Sequence, residues 1–247
     1  MATLSASAID GQATERKFYS RMALFMVAII LIGFAPSFYL RGLVHSPRPN
    51  PSLPPHIMIH GLMFTAWLLL FVVQTQLVAA GRRELHMKLG AASFVLAVAL
   101  VPLMYLTAVW QVARANQMPF TDPLNWTIVP LVGIVPLSIM LWIGWTRRRE
   151  AQWHKRAMLC SGLMIMEPGI GRIPIGPPIF AVHLVGSMLA VAIFVPLILW
   201  DRKTIGHWHP VTMLGFWLTV ATMTLRAILL STGSWAAIAA HLPGVGA

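Results

Sequence analysis

Seven runs of apolar residues recur along this chain, at 22–40, 56–79, 87–109, 126–145, 154–171, 178–200 and 209–230. Each is near the twenty or so residues needed for a helix to cross about 30 Å of hydrocarbon. In lipid a spanning segment must satisfy its own backbone hydrogen bonds, so runs of this length fold as helices. Composition agrees: 57% of the 247 residues are hydrophobic and 10% are charged, with a mean hydropathy of +0.74. A soluble domain carries roughly 25% charged residues. The sequence predicts an all-α polytopic bundle in a lipid bilayer: a polar segment over 1–21 without structure, one seven-helix transmembrane domain over 22–231, and a short tail over 232–247. The first run follows Arg16, Lys17 and Arg21 and lacks a small-residue cleavage site before Pro36. It therefore reads as a retained span, not a signal peptide. Proline-rich stretches at 47–52, 118–123 and 173–178 punctuate the gaps.

The net charge of +11 would suggest a nucleic-acid partner in a soluble chain. Here it reports orientation. Of 18 Lys and Arg residues, 13 lie before the first run or in the 80–88, 146–156 and 201–208 gaps. The alternate gaps hold only Arg41, Arg48, Arg114 and Arg172, and Arg226 lies inside the seventh run. Positive residues stay inside, so the N-terminus is expected in the cytoplasm and the C-terminus outside the cell's inner (plasma) membrane. Tryptophans mark both interfaces, with Trp110, Trp126 and Trp235 at outer ends and Trp142, Trp145, Trp153, Trp200 and Trp208 at inner ends. No nucleic-acid role follows from this charge. The single cysteine, Cys160, excludes an intrachain disulfide and a multi-cysteine metal cluster, and reads as a small packing residue.

Polar side chains inside the runs carry the functional signal. His60 and His183 each lie five residues inward from a proline, Pro55 and Pro178. Glu167 lies five residues before Arg172, and Arg226 five before Ser231. At 1.5 Å per residue all four sit roughly 7.5 Å below the outer boundary, with Tyr105 at a similar level. An ionisable group in hydrocarbon costs about 2.5–3.5 kcal/mol and normally faces a partner inside the bundle. The layer is either an ion pair between Glu167 and Arg226 that fixes packing, or a pocket open to the outer side with Glu167 as its acid or base. Pro168 has no N–H, so the Met164 carbonyl loses its helical partner and the fifth run is expected to break there. Such a break at membrane depth survives against protein or a water-filled cavity. His56 and His60, four residues apart, could share one helix face and chelate a metal. His86, His154, His207 and His209 fall at inner ends among basic residues, as interfacial side chains do.

Three motifs, His60, then Arg82-Arg83-x-x-His86-x-x-Leu89-Gly90, then His154-Lys155-Arg156-Ala157-Met158 with Arg172, resemble an uncharacterised family of bacterial multi-span membrane proteins of unknown function. The resemblance covers runs two to six and departs at Met87, where an arginine is expected. It implies a fold and a membrane location, and no activity.

The histidines are also similar in arrangement to those of transmembrane b-type cytochromes, with His60 and His183 near one face and His86 and His154 near the other. That likeness implies haem b held by the two pairs, propionates on Arg172 and Arg226, and electron transfer with a redox partner. A different class, the membrane hydrolases related to ceramidases and adiponectin-type receptors, resembles the chain in span count. It implies Zn on His56, His60 and His183 with Glu167 as base toward a small-molecule substrate. The clustered histidines of that class lie on the last span, where this chain has only His209 at the edge. A proton-coupled permease, with Glu167 and His183 as relay, is the third expectation. The seventh run has no Lys for a retinal Schiff base, and no phosphate-binding loop or nucleophile elbow occurs.

Overall fold

The computed structural model describes residues 6–45, 52–114, 122–173 and 180–245, and among them the chain is helical with no strand. Helix α1 (Ala6–Phe34) runs on through a π-helical turn, Ala35–Tyr39, which begins just before Pro36. Helices α2 (Pro55–Ala79) and α3 (Arg83–Trp110) form a hairpin. It closes at Gly81, whose φ of 73° is one that a side chain would strain. The next stretch is α4 (Pro123–Trp126), α5 (Ile128–Leu131) and α6 (Ile134–Thr146). Pro130 and Pro136 each remove a backbone donor there, so the helix is segmented. Helix α7 (Ala151–Met164) and the single turn α8 (Glu167–Ile170) follow. Then come α9 (Phe180–Ala192) and α10 (Val195–Ile205), parted just ahead of Pro196. Helix α11 (Pro210–Thr232) and the short α12 (Trp235–Ala239) complete the chain.

Among the described residues six stretches are long and apolar enough to cross a membrane: Gly11–Tyr39, Pro55–Ala79, Arg83–Trp110, Pro123–Thr146, Val185–Ile205 and Pro210–Thr232. The chain is thus a multi-pass helical membrane protein. Large apolar side chains stand outward on the long helices, among them Leu62, Val95, Trp142, Leu199 and Trp217. An unpartnered apolar surface of this kind suits contact with lipid.

The expected fifth run, 154–171, differs from the others. It has no long helix: α7 has 14 residues, about 21 Å at 1.5 Å per residue. The break falls at Ile165–Met166, ahead of Pro168. Helix α7 is instead the buried axis of the bundle, with Arg156, Ala157, Leu159, Cys160, Ser161, Gly162 and Leu163 all withdrawn from solvent. Cys160 is fully buried, a packing residue against Gly215. The α8 turn lies on α1 so closely that a Cβ on Gly33 would collide with the Gly169 carbonyl.

Both ends of the chain are more ordered than their polarity suggests. The segment expected to be without structure over 1–21 is helical from Ala6 onward. Its side chains have partners that local sequence does not reveal: Phe18 stacks on Trp200 at 4.4 Å, and Glu15 pairs with Lys155. In the tail, Trp235 Nε1 donates to Thr127 Oγ1 at 2.8 Å and Tyr105 Oη donates to the Pro243 carbonyl at 3.0 Å. The proline-rich gaps fall largely outside the described residues.

Candidate functional site

Where α1, α2, α3, α5, α8 and α11 converge, they enclose a cavity of about 320 Å³. Three residues of the expected layer line it, His60, Glu167 and Arg226, together with Arg172, which was expected at the outer boundary. On α2 the lining positions Ile57, His60, Gly61 and Phe64 recur at three- and four-residue spacing, the stripe of one helix face. On α3 the stripe is Met104, Thr107 and Ala108, continued by Gln111 just past the helix end.

The Glu167–Arg226 ion pair forms the polar wall. Arg226 Nη1 lies 3.0 Å from Glu167 Oε2, with side chains 4% and 9% exposed. Arg226 Nη2 also donates to Ser187 Oγ at 2.5 Å, which joins α11 to α9. Glu167 has left the α7 helix by this point, and the turn at Ile165–Met166 carries it to Arg226. Arg172 folds back to donate to the Pro168 carbonyl at 2.5 Å, and its guanidinium lies 4.4 Å over the Phe34 ring. Arg114, expected only as a loop charge, lines the same cavity and donates to the Ser52 carbonyl. Tyr39 Oη and Thr65 Oγ1 share a hydrogen bond of 2.7 Å in the wall. Two polar atoms there, His60 Nδ1 and Thr107 Oγ1, are buried with no hydrogen-bond partner among the described residues.

Other expected members are elsewhere. His56 sits edge-on to Trp110 at 5.4 Å and is not among the residues that line the cavity. Tyr105 shares the depth of the layer and turns to the C-terminal tail. His183 lies on α9, and its side chain falls outside the described ones. Among the described residues no group of three or more His, Cys, Asp or Glu is placed to hold a metal ion.

The opposite end holds a second polar assembly. The His86 and His154 rings meet with centres 6.2 Å apart, and His154 Nδ1 lies 2.7 Å from the Gly144 carbonyl. The Gln74 amide packs on His86. Nearby, Arg156 and Asp201 form an ion pair of 2.7 Å with neither side chain exposed. Asp201 Oδ2 also accepts from the His209 backbone N–H at 3.2 Å. His209 is buried and caps α11, its Nδ1 accepting from the Val211 N–H at 3.3 Å. Burial, with the Arg156 charge close by, holds its imidazole below the ordinary 6.5. His207, in contrast, is exposed as an interfacial side chain.

The Arg156–Asp201 pair has no place in the layer read from the sequence, where Arg156 counted as a surface charge. The available signal was Asp201 itself, one of 7 acids, at the end of an apolar run in a strongly basic region.

The arrangement can hold a polar or charged group beside an apolar wall, with guanidinium groups to neutralise anionic charge. The chain matches no protein-family model, no curated protein and no solved structure.

Proposed function

We propose that this chain is a ligand-binding protein of the inner membrane whose site is the cavity shared by His60, Glu167, Arg172 and Arg226. In this reading α7 and α8 form a broken seventh crossing, sheltered by the other helices. The N-terminus is cytoplasmic, as the distribution of Lys and Arg favours, and the cavity lies toward the outer face. The observation that carries the reading is the convergence of four widely spaced polar residues on one cavity of about 320 Å³. That volume falls within the range of about 300–1,000 Å³ usual for small-molecule sites.

The test uses the buried Cys160 as a silent background. Thr107→Cys and Gln111→Cys are treated in intact cells with a membrane-impermeant maleimide. Labelling of both from outside is expected; labelling only after detergent extraction overturns the reading.

A second reading, haem b electron transfer, is favoured by the His86–His154 pair. The two rings lie 6.2 Å apart between centres, a separation compatible with one metal at roughly 2 Å per metal–imidazole bond. The hydrogen bond from His154 Nδ1 to the Gly144 carbonyl leaves Nε2 as the ligating nitrogen, as second-shell contacts of metal-bound histidine do. His86 and His154 would hold the haem, which would supply one-electron transfer. A reduced-minus-oxidised spectrum of the purified protein decides it: a Soret band lost in His154→Leu supports the reading, and a well-folded sample without one ends it.

A further inference from the structure

We infer that the ligand of this cavity is an uncharged, lipid-soluble molecule whose polar end is a hydrogen-bond-accepting oxygen, a carbonyl on a chain or on a quinone-type ring. The inference rests on the cavity being the ligand site. The charges in its wall are answered within the protein: Glu167 by Arg226, Arg114 by the Ser52 carbonyl and Arg172 by the Pro168 carbonyl. An ionic head group would lose its hydration there without meeting a free counter-charge. The head that suits such a wall is neutral.

Two uncharged groups in the same wall are not answered. Thr65, Thr75, Ser93, Ser138, Thr219 and Thr222 each donate to a backbone carbonyl three or four residues earlier, as hydroxyls on helices do. Thr107 departs from this habit: its Oγ1 is buried with no hydrogen-bond partner among the described residues. His60 Nδ1 is in the same condition. The hydroxyl has a proton to donate, and in either tautomer the imidazole has an N–H. Both residues line the cavity, from the adjacent helices α3 and α2, and rotation about one side-chain bond carries either group into it. A polar group buried without a partner is costly, and a ligand oxygen that takes these hydrogens relieves the cost. A carbonyl oxygen has two lone pairs and can serve both donors. Phe38, Phe64, Met104, Met164 and Met223 supply the apolar part of the lining, where thioethers and aromatic faces adapt to a hydrocarbon body.

The test is competition against radiolabelled dodecyl methyl ketone on the full chain in phosphatidylcholine nanodiscs, with concentrations taken per lipid. Dodecane, dodecanoate and dodecylamine should each be at least about tenfold weaker, the scale of one lost hydrogen bond to a buried partner. A fully substituted benzoquinone with a decyl chain separates the two carbonyl sources: tighter competition than the ketone assigns the oxygen to a ring, and weaker competition assigns it to a chain. Thr107→Val keeps the shape and drops the hydroxyl, so it should weaken the ketone by about tenfold, while Thr107→Ser should bind as the parent does. His60→Leu should weaken it to a similar extent. Thr75→Val, at a back-bonded position outside the cavity lining, should change nothing. Equal competition by dodecane overturns the hydrogen-bonded head, and equal or tighter competition by dodecanoate overturns the neutral class, while maleimide access to Thr107→Cys still supports the cavity. Ketone binding that is not saturable, or that ignores both Thr107→Val and His60→Leu, overturns the proposal as well. Absence of maleimide access marks failure of the site itself.

Discussion

The Arg226 guanidinium meets the Glu167 carboxylate at 3.0 Å, tying the middle of α11 to a single helical turn that begins after α7 has ended. Both side chains are almost wholly withdrawn from solvent, and each is the other's counter-charge. Removing one partner of a buried pair leaves an isolated charge and costs about 3–5 kcal/mol, whereas replacing both with apolar groups is often near neutral. Arg226→Met should therefore lower thermal stability sharply, and Glu167→Gln combined with Arg226→Met should recover much of it. Melting curves of the purified variants in one detergent check this. Recovery that fails in the double variant would show that the pair does more than neutralise itself.

The Arg156–Asp201 pair predicts a loss of similar size by a different route. Asp201→Asn keeps an acceptor for the His209 N–H but removes the charge facing Arg156. A destabilisation of about 3–5 kcal/mol is expected, largely reversed by adding Arg156→Met. Unfolding by a graded denaturing detergent measures it.

His209 predicts a pH dependence with a defined sign. Its imidazole is held below 6.5 by burial and by Arg156, partly offset by Asp201, with His207 and Lys155 further lowering it. Between the two values the unfolded chain binds a proton that the folded chain does not, so stability falls as pH drops below 6.5 and is fully present above it. Protonation also removes the Nδ1 lone pair that caps α11. His209→Asn keeps a capping acceptor without titrating. Melting temperatures taken from pH 8 to pH 5 should slope downward in the parent and be flatter in this variant.

Gly33 predicts a steric effect at the α1–α8 contact. Its missing Cβ lets the Gly169 carbonyl approach. Gly33→Ala forces the two backbones apart, with a cost of about 1–3 kcal/mol as overpacking usually carries. Because α8 carries Glu167, maleimide labelling of Thr107→Cys should change together with the melting temperature. Unchanged labelling in a destabilised Gly33→Ala would separate α8 packing from the site.

Depth was legible in the sequence, and azimuth was not. Counting 1.5 Å per residue from prolines and from Arg172 put His60, His183, Glu167 and Arg226 near one level, and His60, Glu167 and Arg226 line one cavity, while the His183 side chain lies outside the described ones. The same count put Tyr105 there, but it stands about 100° around α3 from Met104 and turns to Pro243. His56 is likewise about 40° beyond His60 on α2, enough to leave the lining stripe and meet Trp110. Rotation about a helix axis is set by its neighbours, and an apolar run that is hydrophobic all round carries no moment from which to read it. The interruption of the fifth run followed from Pro168, and so did its place: α7 ends at Met164, whose carbonyl loses its helical partner to Pro168. The packing of α8 on α1 was not legible.

The buried charges also impose an order on assembly. Arg156 is answered by Asp201 of α10, and Glu167 by Arg226 of α11. In each case the neutralising residue comes later in the chain than the residue it neutralises. A nascent chain that has emerged only as far as α8 holds two uncompensated charges in its least apolar helical segment. Residues 151–170 therefore meet both of their counter-charges only once α10 and α11 have been made, so the end of the polypeptide completes the neutralisation of its middle.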